Sequence, residues 1–219
     1  MKIYIVLFLL EAFMLKGVIL STIWATAVLT LVLGGNDVAF SSSSSETNTR
    51  IAAGEAGAEW DRFTPQSVQI NAGDSVTWYN PTPVTEPHMV TFISNQSYLP
   101  PLAAPFSMPS DAEITSTIPN PNVEPIILPP GSDNETKTVL IDNARAWNPV
   151  VLETSWTNAT YLQPNSNYTM AGDELYVNSG AIFPVGQSPP GSPPMEEFTV
   201  TFENPGTYEY TCVLHPWMV

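Results

Sequence analysis

Near the end of the chain two runs alternate apolar and polar residues around a single turn. They are Phe198-Thr199-Val200-Thr201-Phe202 and Tyr208-Glu209-Tyr210-Thr211-Cys212, joined through Glu203-Asn204-Pro205-Gly206. Successive side chains of an extended strand point to opposite faces, so a period of two sends one set to a core and the other to water. Ser67-Val68-Gln69-Ile70 repeats the pattern before the turn Asn71-Ala72-Gly73-Asp74. Ser75-Val76-Thr77-Trp78-Tyr79 follows, β-branched and aromatic, until Asn80-Pro81 stops it, and Met89-Val90-Thr91-Phe92 is a further extended segment. No stretch after residue 40 holds a 3.6-residue period over three turns. With 22 prolines and only 12% charged residues, the chain is not a helical bundle, and an all-β sandwich is the expected fold.

Between Ser94 and about Asp173 the alternation lapses. Nine of the 22 prolines fall in residues 100–130, and proline cannot donate to a sheet ladder. The stretch from about 95 to 173 therefore reads as a long surface insertion, with Thr138-Val139-Leu140-Ile141 as one strand inside it. Upstream, residues 1–35 are mostly apolar, and Gly17 to Gly34 is an uncharged run of 18 residues, at the lower edge of a membrane span. Lys2 and Lys16 precede it and the acids Asp37 and Glu46 follow, an order that places the rest of the chain outside the cytoplasm. Met14-Leu15-Lys16 also opens a conventional signal peptide, so a cleaved signal and a retained anchor are both open readings of residues 1–35. Ser41 to Ser45 head a polar tether over 36–58, which leaves 59–219 as the exported domain. Four sequons, at Asn95, Asn134, Asn158 and Asn167, make glycosylation available to an exported chain.

The charge is lopsided: 6 Lys and Arg stand against 21 Asp and Glu, a net −15. Removing residues 1–40 takes away two lysines and two acids, so the exported part carries the whole imbalance. That argues against nucleic acid as a partner, which needs clustered cations, and against docking on an anionic lipid surface. The 1 Cys excludes an internal disulfide and a Cys-rich zinc module, and the 2 His exclude a centre built from many imidazoles.

Those few residues are placed suggestively. Cys212, His215 and Met218 form C-x2-H-x2-M directly after a strand, and His88 lies upstream at the start of another, in Glu86-Pro87-His88-Met89-Val90. A tight loop would hold Cys212, His215 and Met218 around one point while His88 closes the plane. Taken singly, a buried cysteine is usually inert, a histidine usually structural and a methionine usually filler. Together, both histidines and the only cysteine fit one metal geometry. Soft sulfur with imidazole favours copper, and two His with one Cys and a weak axial Met is the blue-copper set. Zinc would fill Cys and two His with a water in fourth place, but Met218 gives it no advantage.

Gln69 to Phe92 (QINAGDSVTWYNPTPVTEPHMVTF) and Phe198 to Met218 (FTVTFENPGTYEYTCVLHPWM) together resemble a plastocyanin-like cupredoxin, with the ligand-loop spacing of the amicyanin type. Val177-Asn178-Ser179-Gly180 and the Pro-rich turn after it are similar to those of membrane-anchored archaeal members. The resemblance covers both ends of the exported domain and not its middle. It implies a Greek-key β-sandwich around one type 1 copper ion, cycling between Cu(I) and Cu(II), with His88, Cys212 and His215 equatorial and Met218 axial. The sequence departs from the family in the 124 positions between His88 and Cys212, and in Met89, where many members carry a polar residue that ties the two ligand loops. It also stops at Val219, where members usually continue into a closing stretch of strand.

The expected role is an exported electron carrier at the outer face of the membrane, not an enzyme. Copper storage or delivery, and a cupredoxin subunit of a larger membrane complex, are the alternatives. Electron exchange is expected at the edge of His215, within an apolar rim of Pro216 and Trp217, with surrounding acids steering a basic redox partner such as a membrane oxidase. Tyr208 is a candidate corner tyrosine, bonding back to the backbone.

Overall fold

Three of the expected strands account for the centre of the molecule. The computed structural model describes residues 3–8, 46–111, 135–189 and 194–219, and their regular structure is almost wholly β-strand. The strands are β1 (Ile3–Phe8), β2 (Asn48–Glu55), β3 (Ala58–Thr64), β4 (Val68–Asn71), β5 (Ser75–Tyr79), β6 (Thr91–Ile93) and β7 (Ala103–Pro109), followed by β8 (Thr136–Asp142), β9 (Val150–Leu152), β10 (Thr160–Tyr161), β11 (Asn167–Met170), β12 (Tyr176–Asn178), β13 (Glu197–Phe202) and β14 (Thr207–Thr211). One sheet runs β10-β9-β12-β6-β14-β1-β4, a second runs β11-β13-β5-β2-β3, and β7-β8 is a hairpin sheet of its own. The one α-helix among the described residues is the single turn Ala144–Trp147.

The alternation read from β13 is the alternation observed. Phe198, Val200 and Phe202 are fully buried, while Thr199 and Thr201 face outward and meet Thr77 and Ser75 of β5 through hydroxyl contacts of 2.7 and 2.8 Å. The register Phe198↔Trp78 and Val200↔Val76 stacks the apolar set on one face. The two large sheets share one aromatic core: Trp78 of β5 meets Tyr210 of β14 at 5.0 Å between ring centroids and Phe92 of β6 at 5.8 Å, and Phe63 meets Tyr210 at 4.8 Å. Such edge-to-face contacts fix ring orientation beyond what apolar burial alone would do.

Three boundaries differ from the sequence reading. The tether assigned to 36–58 does not reach that far: Asn48–Glu55 lies between β5 and β3, with Ile51 and Ala53 fully buried. A short run of small apolar residues beside a serine tract shows no period long enough to read. The insertion is not wholly a surface excursion either. Val150, Val151, Leu152 and Met170 are buried, because β9 pairs with β12 and β11 pairs with β13. The strand read at Thr138–Ile141 is present as Thr136–Asp142, half of the separate hairpin. Within residues 1–35, Ile3–Phe8 is a strand seated between β14 and β4, antiparallel to the first and parallel to the second. The uncharged run from Gly17 to Gly34, the serines 41–45 and the sequon at Asn134 lie outside the described residues. Among the described residues no helix is long and apolar enough to cross a membrane.

Asn95, Asn158 and Asn167 are all exposed. The Tyr208 hydroxyl donates to the Asn204 carbonyl oxygen at 2.9 Å, fastening the turn between β13 and β14 as a corner tyrosine does.

Candidate metal centre

His88 precedes β6, and its backbone is fixed before its side chain is considered. Its N–H donates to the Ile182 carbonyl at 3.1 Å, and the Ile182 N–H returns a bond to the His88 carbonyl at 2.8 Å. Asn80, the residue that ends β5, holds this loop from the other side. Its amide donates to the carbonyls of Glu86 (2.7 Å) and Ile182 (3.0 Å), and its oxygen accepts from the Thr82 N–H and hydroxyl. One step along, the Val90 N–H donates to the Ser179 hydroxyl at 2.8 Å, and the Ser179 N–H donates to the Val90 carbonyl at 3.0 Å. Cys212 follows β14 directly. The Cys212 N–H donates to the Met218 carbonyl and the Met218 N–H to the His215 carbonyl, at 3.0 and 2.8 Å, so the C-x2-H-x2-M loop is closed upon itself.

These elements bring His88, Cys212 and His215 together, one nitrogen of each imidazole and the sulfur lying within 4.8 Å of one another. The two Nδ1 atoms are 3.2 Å apart, and Cys212 Sγ is 3.7 Å from His215 Nδ1. Ordinary bonds of about 2.0 Å to nitrogen and about 2.3 Å to thiolate sulfur would span these two separations with angles of about 105° and about 120° at the ion. Two bare nitrogen acceptors this close repel unless a proton or a cation lies between them. The group could therefore hold a metal ion, with one imidazole nitrogen of each histidine and the sulfur as ligands. Met218 is also buried, 1% exposed, in the same core cluster as Cys212.

The surroundings are dry and asymmetric. His88 and Cys212 are fully buried, and His215 is 7% exposed. Burial first, then the neighbouring His215, pushes the His88 imidazole down to about 4, with Asp61 opposing. Burial raises the Cys212 thiol, against backbone N–H groups that favour its anion, the Met89 N–H foremost at 3.3 Å from the sulfur. Met89 thus ties the two loops together with its main chain. On the outer side, the Glu86 carboxylate lies 3.2 Å from His215 Nε2, the nitrogen that ligation through Nδ1 leaves free. Asp61, Glu86 and His88 form a second close group.

Sequence reasoning did not single out Gly54, Asn80 or Glu86 as site residues. Gly54 has φ +88°, and a Cβ there would lie 2.7 Å from His88 Nε2, so both its backbone and the imidazole demand glycine. No local signal could have found it, since its partner, His88, lies 34 positions on in the loop before β6. Comparison with known proteins returns no match to a family model, a curated protein or a solved structure.

Proposed function

We propose that this chain is a mononuclear copper protein of the cupredoxin type, exported to the outer face of the membrane, where it carries single electrons between redox partners. The observation that carries the reading is the convergence of two imidazole Nδ1 atoms and one thiol sulfur at coordination separations, with a backbone N–H aimed at that sulfur. Two imidazoles and a thiolate suit copper, and the thioether of Met218, buried in the same cluster as Cys212, would be a further soft donor that zinc would not use. The facing sheets with their shared core support a Greek-key β-sandwich. The uncharged, apolar run from Gly17 to Gly34 supports a targeting or membrane segment, and with it export.

Copper bound here supplies a one-electron couple. His88 and His215 would each offer an imidazole lone pair to the ion, and Cys212 would hold it as the thiolate. The Met89 N–H stabilises the resulting thiolate charge by a charge-assisted bond. The close-set strands on both sides keep the ligands where they are in either oxidation state and keep water out, which makes transfer fast. Both histidines are committed to the ion, so none remains as a general base for hydrolysis. Burial also weighs against copper delivery: a donor must expose its ligands to the receiving protein, whereas electrons reach a buried centre. Redox proteins, a membrane oxidase among them, are the partners this role requires.

Loading with one equivalent of Cu(II) is expected to give an intense visible band that bleaches with one electron and returns on reoxidation. A His215→Ala chain loses it. A delivery protein would instead hold one oxidation state weakly and fail to cycle, and a subunit of a larger assembly would co-purify with a membrane oxidase.

A further inference from the structure

We propose that Asp61, Glu86 and Nε2 of His88 form a second metal site, which holds a divalent cation of the zinc class beside the copper centre. Its donors include no sulfur, so they are the same whatever ion Cys212 holds. His88 supplies an unpaired atom. The residue is fully buried, its Nδ1 faces Nδ1 of His215 at 3.2 Å, and its Nε2 has no hydrogen-bond partner among the described residues. A histidine that binds a metal through one nitrogen ordinarily donates from the other to a carboxylate or carbonyl, and an orphaned buried polar atom costs about 1–3 kcal/mol. What Nε2 faces is set by β2 and β3. Their register skips between Ala53 and Glu55, which leaves Gly54 at a bulge, and a Cβ there would lie 2.7 Å from Nε2. Glycine therefore keeps the approach to that nitrogen clear. Asp61 lies on β3 across from the bulge, between the pairs Ala53↔Phe63 and Glu55↔Ala58. Glu86 stands two residues before His88, in the loop that the Asn80 amide holds at 2.7 Å from the Glu86 carbonyl.

One oxygen of each carboxylate and one nitrogen of His88 lie within 4.8 Å of one another. Tetrahedral bonds of about 2.1 Å set neighbouring donors about 3.4 Å apart, so the widest gap closes by at most about 1.4 Å. Both acids have room for that movement, since each is only partly buried. Two carboxylates this close repel, and the cations at hand are engaged elsewhere, Arg62 with Glu55 and Arg50 with Glu197. One Glu86 oxygen is 3.2 Å from His215 Nε2, and the second oxygen remains for an ion. The donor set selects the cation. Calcium and magnesium are held by oxygen ligands alone, whereas one imidazole with two carboxylates suits zinc, with water in the fourth place. Where His88 Nδ1 already carries copper, the Nε2 proton passes to solvent as zinc binds.

The test uses the full chain, loaded with one equivalent of Cu(II) and then dialysed against buffered Zn2+, with bound metals counted by elemental analysis and the visible band recorded. One zinc per chain is expected beside the retained copper, and the copper band is expected to shift, because one ring serves both ions. Asp61→Asn and Glu86→Gln are each expected to weaken zinc at least tenfold, the usual scale for losing one ligand or its support. Glu203→Gln, an exposed acid in the turn between β13 and β14, is expected to leave zinc binding unchanged. The copper-free Cys212→Ala chain is expected still to take one zinc, and it carries the test if either acid variant fails to fold by circular dichroism. No zinc beyond the copper, zinc that displaces the copper, zinc that leaves the band unmoved, or zinc unaffected by Asp61→Asn would overturn the inference and leave the copper reading standing. Zinc uptake that vanishes in Cys212→Ala would assign the ion to the thiolate group and overturn it too. A wild-type chain with no copper band whose Cys212→Ala variant still takes zinc would overturn the copper reading and support the second site.

Discussion

At the scale of single residues, the site depends on side chains that are absent as much as on those present. Gly54 leaves space for His88, and its positive φ alone disfavours any other residue by roughly 1–2 kcal/mol. Gly54→Ala adds a contact of 2.7 Å to His88 Nε2. It is expected to cost at least about 2 kcal/mol in denaturant unfolding and to weaken metal binding at least tenfold, read by titration. His88 gives a pH dependence with a definite sign. Its imidazole is held at about 4 in the folded chain, against an ordinary value of about 6.5 when unfolded. Between those values the unfolded state binds more protons, so stability is full above about pH 6.5 and falls as pH drops toward 4. The metal-free chain is expected to lose up to about 3 kcal/mol across that window, and His88→Gln to flatten the loss, as measured by urea midpoints.

At the scale of elements, β13 and β14 were legible because their alternation is long and both strands have one buried face. His88, Cys212 and His215 were legible because so few candidate ligands exist. What escaped reading was short or non-local. β2 carries Ile51 and Ala53 into the core from a segment whose composition is that of a linker, and β9 to β12 are two to four residues each, below the length at which a period shows. Asn80 read only as a strand stop, because its four bonds go to carbonyls and donors remote from it or in the following turn. Asn80→Ala takes this partner from the Glu86 carbonyl and the Thr82 N–H, while the Ile182 carbonyl keeps the His88 N–H and the Thr82 hydroxyl keeps the Val84 carbonyl. Buried polar groups left unpaired cost about 1–3 kcal/mol each. The variant is therefore expected to lose about 3 kcal/mol in stability and to broaden the copper spectrum through a loosened His88.

At the scale of the whole molecule, the hairpin is a sheet apart from the two large ones. β7 and β8 pair only with each other, and at their root the Asn143 N–H donates to the Leu102 carbonyl at 2.8 Å. Because the ends already meet, replacing Ala103–Asp142 by a short turn is expected to leave folding and colour unchanged, checked by circular dichroism and the visible spectrum. Binding to a membrane oxidase lost on the same excision would assign the hairpin to assembly. The central claim concerns one ion and three atoms, and the visible and electron paramagnetic resonance spectra of the copper-loaded chain test it most directly. A strong sulfur-to-copper band with narrow copper hyperfine splitting, both absent from Cys212→Ala, is the expected result; a weak tetragonal Cu(II) spectrum that survives the loss of Cys212 would contradict it.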